Sequence, residues 1–244
     1  MTLPVFVVDA DLLQRDTIEL SGAEGRHAVV VKRIRVGEQL ILTDMRGAGA
    51  ECEVVEVSRQ GLVAQVYARR FEPVSEPGLT VVQAIPKGEH GERAVELLTE
   101  IGVDTLVPWA ASRNVVSWRG EREARGLQRW RATASAAAKQ SRRLRFPEVS
   151  GLHTTAEVAA LISSADLALV LHEGAGNRLG DVVVPESGTV LLVVGPEGGV
   201  TAEELATFAD RGAAAVRLGA TVLRSSTAGV VGAAVVLSRT PRWA

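Results

Sequence analysis

Two stretches of the sequence carry residue types that could bind a ligand and act on it. The first is Gly195-Pro196-Glu197-Gly198-Gly199, which directly follows the apolar run 190–194. Glycines let a backbone approach a ligand closely, and a glycine-rich turn between a strand and a helix is where open α/β sheets bind ligands. An isolated Gly-Gly pair predicts a plain tight turn equally well. This stretch therefore indicates a binding site only together with the second one.

The second stretch, residues 216–229, reads VRLGATVLRSSTAG. Three hydroxyl residues, Ser225, Ser226 and Thr227, stand where a helix should begin, and capping of that helix would explain them. Capping does not explain Arg224, which comes just before them. Beside a site, its guanidinium would supply positive charge for an anionic substrate group or for negative charge that develops during a reaction.

A local excess of positive charge lies in residues 111–146. Ten cations are opposed there only by Glu121 and Glu123, so the segment carries +8 while the whole chain carries −2. Nine of the ten are arginines, which suit bidentate phosphate contacts and stacking on bases. A solvated helix face usually mixes both signs, so the segment predicts a polyanion partner such as RNA or DNA. The ten residues are Arg113, Arg119, Arg122, Arg125, Arg129, Arg131, Lys139, Arg142, Arg143 and Arg145.

Several classes of protein do not fit the sequence. The single cysteine, Cys52, excludes a disulfide framework, and four scattered histidines do not predict a metal cluster. No GxGxxG, P-loop or G-x-S-x-G motif is present. The N-terminus lacks the pattern of a signal peptide, and no apolar run reaches the ~18 residues of a membrane span. We expect a cytoplasmic protein with no metal and no membrane contact.

The elements that must position these residues fall into two predicted domains. Residues 1–72 contain short Val-, Ile- and Leu-rich runs separated by turns, which predicts a small β-barrel. A short helix is predicted over 28–35, with cations at its C-terminal end that either favour the helix dipole or contact phosphate. We predict a linker at 73–78 and a second domain over 79–244. The runs predicted as strands are 5–8, 39–43, 52–57 and 62–67, and the cations are Arg26, Lys32, Arg33 and Arg35.

From residue 79 onward, strand and helix patterns alternate, which predicts an α/β domain with a parallel sheet covered on both faces. The run 190–194 suits a central strand buried on both faces, and Thr201 should cap the helix that follows. Residues 230–237 are apolar nearly all round, so this helix must be buried against the sheet or another subunit. The other predicted strands are 79–85, 106–109 and 167–171, and the other predicted helices are 92–102, 121–141 and 154–162.

Taken together, these stretches resemble one family. LLVVGPEGG followed by T-x-E-E, and then RLGxxVLRxxTA, are similar to the two cofactor-loop motifs of the 16S ribosomal RNA uridine-N3 methyltransferases. Residues 27–44 resemble the PUA-like N-terminal barrel of that family, and SRNVV and AAAKQSRRLRFPEV resemble its RNA-facing segments. The resemblance covers the whole chain. It implies a SPOUT-type, trefoil-knotted parallel-sheet domain preceded by a small PUA-like β-barrel.

The resemblance also implies an activity: transfer of a methyl group from S-adenosylmethionine to N3 of a uridine in 16S ribosomal RNA of the small subunit, by a homodimer. The implied catalytic residues are Arg224 and Glu197. The implied cofactor-binding residues are Leu171, His172, Gly195, Pro196, Glu197, Gly198, Gly199, Leu218, Gly219, Leu223, Ser225, Ser226, Thr227 and Ala228. The implied RNA-binding residues are Arg26, His27, Lys32, Arg33, Arg35, Lys87, Arg113, Asn114, Gln140, Arg142 and Arg143, of which Arg113 or Asn114 is expected to act across the dimer.

One position departs from the family pattern. Where the family usually has LRTETA, this chain has LRSSTA, so Ser226 replaces an acidic residue and cannot serve as a base. Three alternatives stay open: a SPOUT methyltransferase for another RNA such as transfer RNA, a non-catalytic RNA-binding protein, and a small-molecule α/β enzyme with an incidental basic face. Outside the resemblance, His27, His90, His153 and His172 are interpreted as ordinary surface or core histidines.

Overall fold

The computed structural model describes residues 3–243. The chain forms two compact units. The first contains the described residues up to Val74 together with Ala138–Phe146, and the second contains Ser75–Ala137 and the residues from Pro147 onward. The segment 138–146 thus belongs to the N-terminal unit, although the boundaries predicted from sequence assigned it to the C-terminal domain.

The N-terminal unit is built on a five-stranded sheet in the order β1-β3-β4-β5-β2. β1 and β3 are parallel and the other pairs are antiparallel. Four of the strands were predicted from apolar runs, whereas β2 was not, because its four residues include only two apolar side chains. Cys52 lies fully buried in this core. The strands are β1 (Val5–Val7), β2 (Thr17–Leu20), β3 (Gln39–Thr43), β4 (Ala48–Val57) and β5 (Leu62–Phe71).

The helix predicted over 28–35 is misplaced. The structure has α1 over Gly22–Arg26, continued by a π-helical turn over His27–Val31. The helical path ends because Arg33 adopts a φ of 56°, in the left-handed region. The Ile34 amide then bonds back to the carbonyl of Ala28. The β-branched run Val29–Val31, which the prediction placed inside the helix, forms the wider π-helical turn instead.

The segment 138–146 is joined to the N-terminal sheet by hydrogen bonds. The hydroxyl of Thr43 donates to the carbonyl of Leu144 at 2.9 Å. The carboxylate of Glu72 accepts from the amides of Leu144 at 2.8 Å and Arg145 at 3.1 Å. Lys139 forms an ion pair with Glu24. These contacts satisfy backbone groups that would otherwise be left without partners.

The C-terminal unit contains a seven-stranded sheet in the order β10-β12-β9-β11-β6-β7-β8, in which every pair is parallel. β11 lies between β9 and β6, and its residues 190–194 are all buried, as the unbroken apolar run predicted. The strands are β6 (Gly78–Ala84), β7 (Thr105–Trp109), β8 (Glu148–Val149), β9 (Leu167–Leu171), β10 (Asn177–Arg178), β11 (Thr189–Val194) and β12 (Ala214–Arg217).

Helices cover both faces of this sheet. Alternate residues of β11 point to opposite sides: Leu192 joins the core formed with α2, α3 and α6, and Val193 joins the core formed with α4 and α5. Thr201 begins α5 with a reciprocal capping box to Glu204, as predicted for this threonine. The helices are α2 (His90–Glu100), α3 (Glu121–Gln140), α4 (Thr155–Ser164), α5 (Ala202–Ala209) and α6 (Ser225–Leu237).

The apolar helix α6 packs against the sheet of its own chain. A Cβ added at Gly232 would lie 2.9 Å from a methyl carbon of Leu192, and one at Gly229 would lie 3.3 Å from a methyl carbon of Val194. These glycines therefore let α6 approach β11 closely. The parallel α/β class is confirmed. Among residues 3–243, no helix is long and apolar enough to cross a membrane.

Candidate active site

The two glycine-rich stretches meet in one cavity of about 610 Å³ in the C-terminal unit. One wall is the turn after β11 and the other is the loop between β12 and α6, so both lie where parallel strands end at their carboxyl edge. The volume is typical of small-molecule sites. Of the predicted cofactor residues, those that line the cavity are Leu171, His172, Gly195, Pro196, Glu197, Gly198, Gly199, Leu218, Gly219, Leu223, Ser225, Ser226 and Ala228.

Thr227 is the exception. It lies on the exposed side of α6, outside the cavity lining. Arg224 lines the cavity and is itself the N-cap residue of α6: its carbonyl accepts from the amides of Thr227 and Ala228, both at 2.8 Å. Its exposed side chain therefore stands at the positive end of a 13-residue helix.

Ser225 does not cap α6 with its side chain. Its hydroxyl donates to the carbonyl of Gly195 at 2.9 Å and accepts from the side-chain amide of Gln83, also at 2.9 Å. Gln83 is fully buried near the end of β6, and its amide also donates to the carbonyl of Ala84. The chain Gln83–Ser225–Gly195 therefore joins β6 to both cavity loops. Sequence reasoning missed Gln83, because a single glutamine in an apolar strand carries no local signal of its partner.

The turn 195–199 is fixed from two further sides. The Glu197 carboxylate accepts from the backbone amide of Lys87 at 3.2 Å. Arg113 donates to the carbonyl of Gly198 at 3.1 Å, and a Cβ at Gly198 would lie 2.9 Å from the Cβ of Arg113. Arg113, one of the residues predicted to bind RNA, thus reaches the cavity of its own chain. The turn needs glycine at position 198 because Arg113 occupies the space that a side chain at this position would fill.

The loop that carries Arg113 is held by a buried carboxylate. Glu204, 3% exposed, accepts from the Ser112 amide at 2.8 Å and from the Thr201 amide at 2.9 Å. Burial of the Glu204 carboxyl raises its pKa, but the hydrogen bonds from Ser112 and Thr201 outweigh burial and hold the pKa below its ordinary value. Glu204 therefore connects α5 to residues 112–113, and through them to the cavity.

His172 lies in the cavity wall with its tautomer fixed. Its Nδ1 accepts from the backbone amide of Gly174 at 3.1 Å, so Nδ1 carries no proton and Nε2 carries one. His172 can therefore donate a hydrogen bond to a ligand from Nε2. Its backbone amide bonds to the carbonyl of Val216, which keeps the end of β9 beside β12.

The cavity also contains residues that sequence reasoning did not assign to it. Val194, Val200 and residues 220–222 lie beside or within the two motifs, so their place in the sequence could have assigned them to the cavity. His90 and Glu173 carry chemistry of their own, but no motif marks them. The additional lining residues are His90, Glu173, Val194, Val200, Arg217, Ala220, Thr221 and Val222.

The remaining RNA-binding predictions fall in different places. Lys87 and Asn114 lie in the C-terminal unit, where the Asn114 side chain donates to the carbonyl of Trp109. His27 packs edge-on against Phe6, which also gives it a structural role. The predicted residues in the N-terminal unit are Arg26, His27, Lys32, Arg33, Arg35, Gln140, Arg142 and Arg143.

Part of the +8 segment is neutralised within the fold. Arg129 pairs with Glu92 and Lys139 pairs with Glu24, and both of these acids lie outside the segment. Residues 3–243 contain no group of three or more His, Cys, Asp or Glu side chains arranged to hold a metal ion. The positive potential available to a partner is therefore smaller than the sequence count indicated.

Comparison with known proteins identifies the family. An RNA methyltransferase domain model matches residues 74–237, and an RNA methyltransferase PUA domain model matches residues 20–67. The ribosomal RNA small subunit methyltransferase E of Mycobacterium bovis is 47% identical over 228 residues, covering 92% of this chain and 87% of the relative. The chain belongs to the ribosomal RNA small subunit methyltransferase E family.

Solved structures agree with this assignment. A ribosomal RNA small subunit methyltransferase E from Neisseria gonorrhoeae, bound to S-adenosyl methionine, is 26% identical with a TM-score of 0.87, covering 97% of this chain and 98% of that one. A Legionella pneumophila methyltransferase in complex with the same cofactor is 25% identical with a TM-score of 0.87, covering 98% and 99%. The resemblance read from the two loop motifs is confirmed, and so is the fold class of this methyltransferase E family member.

Proposed function

We propose that this chain transfers the methyl group of S-adenosylmethionine to N3 of a uridine in the 16S ribosomal RNA of the small subunit. The observation that carries the proposal is the meeting of the turn 195–199 and the loop 218–226 in one cavity, with Arg224 in its wall. The family relative from Neisseria gonorrhoeae, which was solved with S-adenosyl methionine, supports this choice of methyl donor.

The cavity suits an adenosyl ligand. Added Cβ atoms at Gly199 and Gly219 would meet no atom within 4 Å, so ligand atoms have room to approach the backbone there. Residues 218–223 offer backbone amides and carbonyls for the adenine edge. His172 offers an Nε2–H donor, and Glu173 and Glu197 offer carboxylates for an ammonium group. When bound, the donor supplies an electrophilic methyl group.

The residues of this chain must make N3 of uridine nucleophilic. N3 carries a weakly acidic proton, so its loss creates negative charge on the base. The guanidinium of Arg224 and the N-terminal end of α6 add positive potential at the same place, which favours that anion. The carboxylate of Glu197 is held in the cavity wall by the Lys87 amide, and we assign it to donor binding.

We propose that the RNA is held by the cations of both units. Pairing hides N3 of a uridine, so the target base must be unpaired or extruded. Of the predicted RNA-binding residues, Arg113 is the one that lines the cavity. The others proposed for phosphate contact are Arg26, Lys32, Arg33, Arg35, Arg142 and Arg143, with His27, Lys87, Asn114 and Gln140 as polar contacts.

We further propose a homodimer that acts in the cytoplasm, with the ribosomal RNA that it modifies. The homodimer is what the resemblance of the two loop motifs implies. Light scattering coupled to size-exclusion chromatography should give a molar mass twice the 25.8 kDa of one chain. A monomer that is fully active would contradict the dimer.

The decisive experiment incubates the purified protein with S-adenosylmethionine and with 16S ribosomal RNA, assembled small subunits or transfer RNA. Nucleoside mass spectrometry should detect N3-methyluridine in the small-subunit RNA. Methyl on transfer RNA alone would support the alternative substrate, and no transfer despite RNA binding would support the non-catalytic alternative.

Arg224→Ala should reduce turnover at least about a hundredfold while RNA retention falls much less. Equal loss of both would contradict the role of Arg224.

A further inference from the structure

One side chain in the cavity has proton-accepting chemistry that no motif assigns. His90 is the first residue of α2, is exposed, and lines the same cavity as Arg224 and Ser226. Within residues 3–243, neither ring nitrogen of His90 makes a hydrogen bond or an ion pair, so both nitrogens are open to a ligand in the cavity. Imidazole is also the side chain whose ordinary ionisation lies closest to neutral pH.

The other titratable groups of the cavity are less suited to take a proton from a base. Nδ1 of His172 accepts from the Gly174 amide, which leaves a protonated Nε2 that can only donate. Glu197 is engaged by the Lys87 amide. Glu173 and Glu197 are carboxylates, which are weak bases for a proton as weakly acidic as that of uridine N3. Arg113, Arg217 and Arg224 are cations.

We propose that His90 is the proton acceptor in methyl transfer, an inference that rests on the proposed function. A neutral imidazole nitrogen of His90 takes the proton from N3 of the uridine. N3 forms its new bond to the methyl carbon, and the methyl–sulfur bond breaks with its electron pair left on sulfur. The products are N3-methyluridine, S-adenosylhomocysteine and a protonated His90, which releases its proton to solvent.

This assignment also gives a physical account of Ser226. The family pattern has an acidic residue at that position, whereas this chain has a buried serine in the cavity wall. A serine hydroxyl cannot hold a proton from N3 at neutral pH. His90 supplies the missing acceptor from α2, while Arg224 stabilises the charge that remains on the base.

The test compares His90→Gln and His90→Ala with His153→Gln as the matched control, because His153 lies outside the cavity lining. We expect His90→Gln to lower the methylation rate about a hundredfold, and His153→Gln to leave it unchanged. S-adenosylmethionine affinity, measured by calorimetry, and RNA retention should stay within about twofold for all three. Added imidazole should restore part of the rate to His90→Ala.

Two further measurements separate an acceptor from a residue that only shapes the cavity. The wild-type rate should rise with pH through the range in which imidazole loses its proton, and His90→Gln should lack this rise. With S-adenosylhomocysteine bound, the NMR resonances of the His90 ring should shift on addition of a uridine oligonucleotide. A cytidine oligonucleotide, whose N3 carries no proton, should shift them much less.

The outcomes are distinguishable. If the wild-type protein methylates uridine N3 while His90→Gln keeps the rate and the pH profile, the assignment of His90 is overturned and the proposed function stands. If the wild type transfers no methyl group to any uridine, both fail. A rate loss in His90→Ala that imidazole does not restore, together with weaker donor binding, would make His90 a structural residue and overturn the proposal.

Discussion

At the scale of single residues, the most informative contact is the buried link from Gln83 through Ser225 to Gly195. It holds two loops that are about 30 residues apart in sequence. Residues 195–199 and 218–224 contain no helix or strand, so side-chain hydrogen bonds such as these fix their relative position. The Oε1 atom of Gln83 has no hydrogen-bond partner in the described chain. Keeping a buried acceptor unsatisfied costs free energy, which this link must offset.

Gln83→Leu tests that link. The change removes the hydrogen bonds to Ser225 and Ala84, and we expect the free energy of unfolding in urea to fall by about 1–3 kcal/mol. S-adenosylmethionine affinity, measured by calorimetry, should fall about tenfold because the loops are no longer joined. Gln60→Leu, in an exposed turn, is the matched control and should change neither quantity. Unchanged donor affinity in Gln83→Leu would show that the link is not needed for binding.

The buried carboxylate of Glu204 should make the free energy of unfolding depend on pH. The pKa of its carboxyl is held below the ordinary value of 4.5 in the folded chain. The carboxylate therefore contributes fully to the free energy of unfolding above about pH 4.5 and loses this contribution as pH falls through the folded-state pKa. Urea unfolding between pH 7 and pH 3 should show a smaller loss of stability in Glu204→Gln than in the wild type. The same loss in both proteins would place the acid sensitivity elsewhere.

At the scale of elements, the sequence predicted what local patterns encode. The apolar run 190–194 predicted a central strand, and Thr201 with Glu204 predicted a helix start. Local patterns did not predict contacts between segments that are distant in sequence. Nothing local indicates that Ser225 bonds to Gly195 instead of capping α6, or that the left-handed Arg33 ends the predicted helix. The cavity itself was predicted only because both of its loops carry motifs.

Gly198→Ala tests the turn between β11 and α5. The new Cβ would lie 2.9 Å from the Cβ and 3.1 Å from the carbonyl oxygen of Arg113, so the turn or the 112–114 loop must move. We expect donor affinity to fall at least about tenfold, or ~1.4 kcal/mol, with a small change in Tm. Gly151→Ala meets no atom within 4 Å and is the matched control. Wild-type affinity in Gly198→Ala would refute tight packing of this turn.

At the scale of the whole molecule, charge is distributed unevenly. The chain carries −2 overall, yet the cations of its N-terminal unit are concentrated in two segments, 26–35 and 139–145. Two cations of residues 111–146, Arg129 and Lys139, pair with acids outside that segment, so its sequence count of +8 overstates the positive charge that a partner meets. RNA binding by such a protein depends on local phosphate contacts and not on net charge.

The salt dependence of RNA affinity tests whether these local cations contact phosphate groups. The logarithm of the affinity should fall linearly with the logarithm of the salt concentration. Replacing both Arg33 and Arg35 with Gln should reduce the slope by about 0.7–0.9 for each phosphate contact that is lost. Arg59→Gln, in an exposed turn of the same unit, should leave the slope unchanged. Equal slopes in all three proteins would remove residues 33 and 35 from the RNA-binding surface.

The buried cysteine offers a way to observe one unit of the chain separately. Cys52 is the single cysteine of the sequence and lies in the core of the N-terminal sheet, where burial raises the pKa of its thiol to about 11. Since the thiolate is the reactive form, alkylating reagents should modify Cys52 only when that sheet opens. The rate of modification therefore reports opening of the N-terminal unit alone, and a mass shift of one adduct would record each such event.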